Sequence, residues 1–171
     1  MASLRDPKQA SGGEANGTSG QVTVTLDMMM PLIRERLAAG QSVRIYPRGT
    51  SMLPMLAEGR DSVVLSPLPA KLKKYDLPLY QRKSGQYVLH RIVKVGESYT
   101  CMGDNQLSFE TELNHEQMIA VVSSFNRKGR ECKVTDIRYR FYCCFWYNTR
   151  FFRRIWRGAK HRIKRIFRGN R

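Results

Sequence analysis

The chain has 171 residues, and its 30 Lys and Arg against 14 Asp and Glu give a formal net charge of +16. This length allows one domain with a hydrophobic core plus terminal extensions. Four cysteines without a C-x-x-C pair, and only three histidines, predict neither a disulfide framework nor a metal site, and no cofactor is indicated. The apolar runs fall short of the roughly 20 residues that cross a bilayer.

The N-terminal part of the chain divides into a tail and a helix. Residues 1–20 are rich in Gly, Ser, Ala and Asn and lack an apolar stretch, which predicts a disordered tail and not a signal peptide. Residues 26–40 have the spacing of an amphipathic helix, with Thr25 or Asp27 as the expected N-cap and Gly40 as the stop. The face expected to pack on a sheet is Met29, Leu32, Ile33 and Leu37.

Short alternating segments separated by turns follow up to residue 124. They predict a mainly β fold, a compact, bent antiparallel sheet or partial barrel. The predicted strands are 42–46, 61–65, 77–82, 86–95, 98–102 and 117–124, with 130–134 as a further strand. The domain is therefore expected to cover residues 21–134.

The first candidate for chemistry is Ser51, in the segment Pro47-Arg-Gly-Thr-Ser-Met-Leu-Pro54. Because residues 42–46 alternate like a strand and Pro54 opposes regular structure, Ser51 is expected at a strand-to-turn junction. There its hydroxyl would face a groove. A turn serine that hydrogen-bonds its own backbone is the structural alternative.

Two later segments place polar residues within strand patterns. His90 lies in the middle of the predicted strand at residues 87–94, and Gly103-Asp-Asn105 ends another predicted strand with a turn. Taken alone, each segment is compatible with ordinary packing and hairpin structure.

In this order, residues 49–54, 89–93 and 102–105 resemble the boxes of the signal-peptidase and LexA-like serine peptidase superfamily. The resemblance covers residues 40–130 and implies a signal-peptidase-like fold. It also implies that Ser51 is the nucleophile and that His90 is the general base, as in the Ser-His branch found in the endoplasmic reticulum and in archaea.

A serine hydroxyl needs a base within hydrogen-bond reach, and a third, acidic residue fixes the tautomer of that base. In the Ser-His branch an aspartate follows the G-D-N box by about six residues, and that position here is Glu110. Glu110 is therefore the candidate for orienting His90, with Asp104 as the alternative. Asp104 would otherwise form the turn, and Glu110 would otherwise be a solvated carboxylate near Glu112.

The remaining positions of the predicted site surround Ser51. The Ser51 N–H is the expected oxyanion donor, and Gly49 and Thr50 complete this part of the loop. Met52 and Pro54 are expected to shape the substrate groove, beside a strand edge that would bind an extended peptide. The predicted function is an endopeptidase that cuts a peptide or protein precursor through an acyl-enzyme.

Residues 135–171 form a basic extension. After Asp136 it has no acidic residue, but it has twelve Lys and Arg and ten aromatic residues. Large apolar residues recur at helical spacing within 138–171, which predicts an amphipathic helix on an anionic membrane surface. Docking on a protein partner and binding of nucleic acid are the alternatives. We expect a cytoplasmic protein that is peripheral at the membrane, because no crossing segment precedes Ser51.

Two other functions stay open at this point. The first is a non-catalytic module that binds peptide or an anionic polymer, in which Ser51 has no chemical role. The second is self-cleavage, since LexA-like proteins cut an Ala-Gly bond upstream of their serine and Ala39-Gly40 lies there. The stop of the first helix accounts for the same two residues without chemistry.

Overall fold

The computed structural model describes residues 25–152 and residue 155. The predicted tail, residues 1–20, and the rest of the basic extension lie outside the described residues. The described part contains α1 (Leu26–Ala38) and α2 (Ile137–Asn148), with further helical residues at 150–152 and 155, and a 3-10 helix covers His115–Gln117. The strands are β1 (Val43–Ile45), β2 (Ser62–Ser66), β3 (Pro78–Gln81), β4 (Tyr87–Leu89), β5 (Arg91–Val95), β6 (Tyr99–Met102), β7 (Glu110–Leu113), β8 (Met118–Arg127) and β9 (Arg130–Lys133).

The strands form two antiparallel sheets. The first has the order β1-β2-β8-β3-β4, with β9 also paired to β8, and the second has the order β5-β6-β7. The prediction of a mainly β fold built from antiparallel strands is therefore confirmed. The sheets do not close into a barrel, and the single bent sheet of the prediction is replaced by two separate sheets.

The change from one sheet to the other occurs at His90. The predicted strand 86–95 is wrong as one element, because β4 ends at Leu89 and β5 begins at Arg91. β4 pairs with β3, whereas β5 pairs with β6 and is bonded on its other side to the segment before β3. There the Ile92 N–H donates to the Asp76 carbonyl over 2.9 Å. His90 is thus the residue at which the chain passes from the first sheet to the second.

The caps of α1 agree with the sequence. The Thr25 hydroxyl accepts the N–H of Met28 over 3.4 Å. Gly40 has a φ of 75°, and the N–H groups of Gly40 and Gln41 bond back to carbonyls of the last turn. This is a Schellman stop, in which glycine adopts the left-handed conformation without a steric penalty. It explains the Ala39-Gly40 sequence structurally.

The packed face of α1 differs from the predicted one. The helix buries Met30, Ile33 and Leu37 against the first sheet, whereas Leu32 is 52% exposed. Residues three and four positions apart share a helix face, so with Met30, Ile33 and Leu37 turned inward Leu32 is carried outward. Met29 packs only at the edge of the core.

The basic extension begins inside the domain's core. Tyr139 and Cys143 of α2 are buried and pack in the same cluster as α1 and the central strands β2 and β8. The Tyr139 ring lies 5.2 Å from that of Phe125. A smaller second cluster lies between the second sheet and Tyr80. Among the described residues no helix combines the length and apolarity needed to cross a bilayer.

Candidate active site

The Ser51 loop lies between β1 and β2, and Ser51 is partly exposed in a turn. Two hydrogen bonds tie it to the G-D-N turn after β6. The Asn105 N–H donates to the Ser51 carbonyl over 2.8 Å, and the Asn105 side chain donates to the Thr50 carbonyl over 3.0 Å. The fold therefore brings the first and third sequence boxes into direct contact.

The other loop positions have different environments. Met52 is only 4% exposed and packs in the core beneath the loop, so it does not line a groove as we had expected. Pro54 is exposed and follows a cis peptide bond. The Gly49 N–H is occupied by the Glu58 carboxylate, at 2.8 Å. Within the described residues the Ser51 N–H has no acceptor.

Gly103 joins the Ser51 loop to His90. A Cβ at this position would lie 2.8 Å from the Ser51 carbonyl oxygen and 3.0 Å from His90 Nε2. Such distances leave no room for a side chain, so the close approach requires glycine. The backbone of Ser51 and the Nε2 edge of His90 consequently both lie against Gly103. No hydrogen bond joins the Ser51 hydroxyl to His90 in the described part, but such bonds often form only with substrate present.

The other ring nitrogen of His90 faces a carboxylate. Nδ1 lies 3.1 Å from Glu110 Oε1 and 3.2 Å from the Tyr80 hydroxyl. Both His90 and Tyr80 are almost completely buried. With an ionised Glu110 as acceptor, the hydrogen belongs on Nδ1, because a carboxylate can only accept. Nε2 is then unprotonated on the side that faces the Ser51 loop, which is the tautomer a general base needs.

Arg82 keeps Glu110 ionised. Its Nε donates to Glu110 Oε2 over 2.8 Å, and its terminal nitrogen donates to Oε1, which gives the two-pronged geometry of a strong pair. Burial raises the pKa of Glu110, but the hydrogen bonds from Arg82 and Tyr80 and the charges of His90 and Arg82 outweigh burial and lower it.

Burial lowers the pKa of His90 below its usual value of 6.5, although Glu110 opposes the shift. His90 is therefore neutral at pH 7 and able to take up a proton. Once charged, the imidazolium would face the carboxylate of Glu110. The site combines a base that is uncharged at rest with an anion placed to stabilise its charged form.

Asp104, the alternative orienting residue, is engaged elsewhere. Both its oxygens accept hydrogen bonds of 2.8 Å from Arg91, and both side chains are buried. The Tyr142 hydroxyl donates to the same carboxylate, and the Trp146 indole donates to the Asp104 carbonyl. Asp104 thus connects the turn after β6 to α2, and of the two candidates it is Glu110 that contacts His90 Nδ1.

Sequence reasoning did not identify Tyr80, Arg82 or the close approach at Gly103. Tyr80 and Arg82 lie on and just after β3, and only the pairing of β3 with β4 brings them to His90. The pairing of Cys101 with Glu110 then brings β7 to the same place. No local pattern in the sequence signals either register.

No group of His, Cys, Asp and Glu side chains that could hold a metal ion occurs among residues 25–152 and 155. Cys101, Cys132, Cys143 and Cys144 are all free thiols. Comparisons of the chain with protein-family models, with curated proteins and with solved structures gave no significant match.

Proposed function

We propose that the chain is a serine endopeptidase in which Ser51 is the nucleophile and His90 the general base. The observation that carries the proposal is the arrangement around His90. Nε2 and the Ser51 backbone meet at Gly103, while Nδ1 lies 3.1 Å from Glu110. This arrangement supports the proposal, because acyl transfer by serine requires a nucleophile, a base within its reach and an acidic group that orients the base.

In the proposed reaction the Ser51 hydroxyl oxygen attacks the carbonyl carbon of the cleaved peptide bond and its proton passes to His90 Nε2. The developing negative charge on the carbonyl oxygen is met by the Ser51 N–H. The imidazolium, stabilised by Glu110, then gives its proton to the leaving amine as the C–N bond breaks. Water, activated by the same base, releases the acyl group and restores Ser51.

An extended peptide is the substrate form that the fold favours. β1 leads into the Ser51 loop and is a terminal strand of the first sheet, paired only with β2 among the described strands. A peptide added alongside β1 would gain backbone hydrogen bonds and present its scissile bond near Ser51. The resemblance to signal peptidases further implies small residues just before the cleaved bond. A leader-bearing precursor made in the cytoplasm fits these requirements.

Covalent labelling tests the nucleophile directly. The purified chain is incubated with a fluorophosphonate, and its intact mass is measured beside Ser51→Ala, His90→Ala and Ser84→Ala variants. We expect one adduct on the wild type and on Ser84→Ala. The latter is the control, because Ser84 is an exposed turn serine. Ser51→Ala should not react. His90→Ala should react about 10² to 10⁴-fold more slowly, because the base is lost.

Labelling of Ser51→Ala at the wild-type rate would disprove the assigned nucleophile. If none of the folded proteins reacts, the alternative of a binding module that uses the β1 edge without catalysis becomes the better description. Circular dichroism of each variant establishes that the fold is retained.

A further inference from the structure

α2 has two apolar faces, of which one has no partner among the described residues. Tyr139 and Cys143 face the core, whereas Ile137, Phe141 and Phe145 are each about 70% exposed. These three residues recur every four positions and so form one stripe along the helix. Three more exposed apolar residues follow: Phe151, Phe152 and Ile155. We call Ile137, Phe141 and Phe145 the outer stripe.

Cations flank the outer stripe. Arg138 and Arg140 are exposed, and at 100° per residue they project on the two sides of the stripe. Their stems can lie along an apolar surface while the guanidinium groups stay in a polar layer. Phosphate oxygens in that layer would pair with both groups.

A basic cavity is lined by the segment before β3 and by part of β5. It has a volume of about 560 Å³, and no carboxylate is among the residues that line it. The lysines that line it are Lys71, Lys73, Lys74 and Lys94, and its remaining lining residues are apolar. The four lysines make this cavity basic, with the carboxylate of Asp76 accepting the Lys73 N–H over 2.7 Å, and such a site suits phosphate-bearing groups.

Contacts make the cavity and α2 parts of one surface. The Lys74 ammonium is 5.1 Å from the centre of the Tyr147 ring, and the Arg150 guanidinium is 4.3 Å from the same ring. Arg150 also lies 5.0 Å from the ring of Phe109, which is 44% exposed. Contacts between cations and rings therefore run from Lys74 of the cavity, through the half-buried Tyr147 and Arg150, to the exposed Phe109 in the loop that precedes Glu110.

We infer that this surface docks on an anionic phospholipid bilayer. The outer stripe enters the boundary between headgroups and acyl chains, and the lysine cavity and flanking arginines bind the phosphates. Nucleic acid would satisfy the cations, but it would leave a continuous stripe of Ile and Phe in water. The inference does not depend on the chemistry proposed for Ser51.

Vesicle binding by the full chain tests the inference, using phosphatidylcholine vesicles with and without phosphatidylglycerol. We expect binding only to the anionic vesicles. Partitioning should fall at least tenfold in Phe141→Ser/Phe145→Ser and also in a variant with all four cavity lysines changed to Gln. The matched control is Met28→Ser/Leu32→Ser, two exposed apolar residues four positions apart on α1, which should bind like the wild type.

Several results would overturn the inference. One is wild-type binding by the outer-stripe variant or by the lysine variant, and another is equal affinity for neutral and anionic vesicles. A third is that inorganic phosphate, added at constant ionic strength, abolishes vesicle binding. That result would assign the lysines to a free anion. A fourth is tighter binding to single-stranded polynucleotide that depends on the same lysines.

Discussion

Glu110 is the first residue of β7, and its carboxylate contacts both the imidazole of His90 and the guanidinium of Arg82. Glutamate is one methylene longer than the aspartate that the resemblance implies. Its oxygen nevertheless lies 3.1 Å from Nδ1, because the pairing of β6 with β7 sets its distance from His90. Arg82 restricts the longer side chain by binding both oxygens. Strand register thus determines the contact between the carboxylate of Glu110 and the imidazole of His90.

The charge of Glu110 is expected to set the pH dependence of the rate at which Ser51 is labelled. Glu110→Gln should lower the rate of labelling about 10² to 10⁴-fold, because the tautomer of His90 and the stabilisation of its charged form are lost. Glu110 raises the pKa of His90 against the effect of burial. Its removal lowers that pKa further, so the acidic limb of the profile should move to lower pH.

The measurement is the second-order labelling rate between about pH 4 and pH 8, which spans the usual titration range of histidine. Glu112→Gln, which neutralises an exposed carboxylate of the same strand, should leave both rate and profile unchanged. A shift of the Glu110→Gln profile to higher pH would contradict the assigned role.

Among the elements, the Ser51 loop depends on one buried carboxylate where it enters β2. Asp61 accepts the N–H groups of Ala57 over 2.8 Å and of Lys128 over 3.0 Å, and it pairs with Arg60. The hydrogen bond from Arg60, together with the two backbone bonds, lowers the pKa of Asp61 to about 2 against the opposing effect of burial. The loop and the β8–β9 turn are thus joined through an ionised group.

This carboxylate predicts an acid-sensitive contribution to stability. Because the folded pKa lies below the ordinary 3.8, the contribution is present above pH 4 or so and disappears as the pH falls toward 2. Asp61→Asn should lower the free energy of unfolding at pH 6 by about 1 to 2 kcal/mol, since Arg60 is exposed and partly screened.

Urea unfolding at several pH values provides the measurement for Asp61→Asn. The difference from the wild type should shrink as the pH falls from about 4 to 2. The exposed turn residue Glu97 supplies the comparison, Glu97→Gln, which should show no such trend. A difference for Asp61→Asn that grows with acidity would contradict the assignment.

For the whole molecule, the buried pair Arg91-Asp104 connects the second sheet to α2. Arg91 begins β5, Asp104 follows β6, and Arg91 also donates to the Tyr139 hydroxyl over 2.7 Å and to Cys143 Sγ over 2.8 Å. α2 is thereby attached to the turn that contacts the Ser51 loop. A chain that ended before α2 would lose two core residues, so substitutions on the outer stripe are the sharper test of membrane binding.

Breaking this pair should be costly. Asp104→Ala leaves a buried guanidinium without its counter-charge, and we expect a loss of about 3 to 5 kcal/mol in the free energy of unfolding. The double variant Arg91→Met/Asp104→Leu removes both charges and should lose clearly less.

Urea unfolding followed by circular dichroism, and by the fluorescence of the tryptophans, measures the stability of both variants. Trp146 lies against Asp104 and so reports the docking of α2. If Asp104→Ala is too unstable to purify, the double variant can still be compared with the wild type. A stability of Asp104→Ala within about 1 kcal/mol of the wild type, the most that an exposed ion pair contributes, would contradict a structural role for the buried pair.

The sequence by itself was sufficient for the local features of this protein. Alternating segments predicted the mainly β fold, Gly40 predicted the end of α1, and Thr25 was one of the two N-caps expected for it, with Asp27. These features follow from interactions between residues close in the chain. The same reasoning missed β7, because three of the four residues from Glu110 to Leu113 are polar, and it missed the break at His90, because local periodicity does not report which sheet a strand joins.

The tertiary structure alone decided which polar groups meet. The sequence proposed Glu110 as the orienting residue and Asp104 as the alternative, and strand pairing brought the first to His90 while Arg91 bound the second. Likewise, the apolar residues of the basic extension suggested one membrane-facing side, whereas packing buries Tyr139 and Cys143 and leaves the outer stripe exposed. Contacts between distant segments depend on strand register and core packing, which no local pattern encodes.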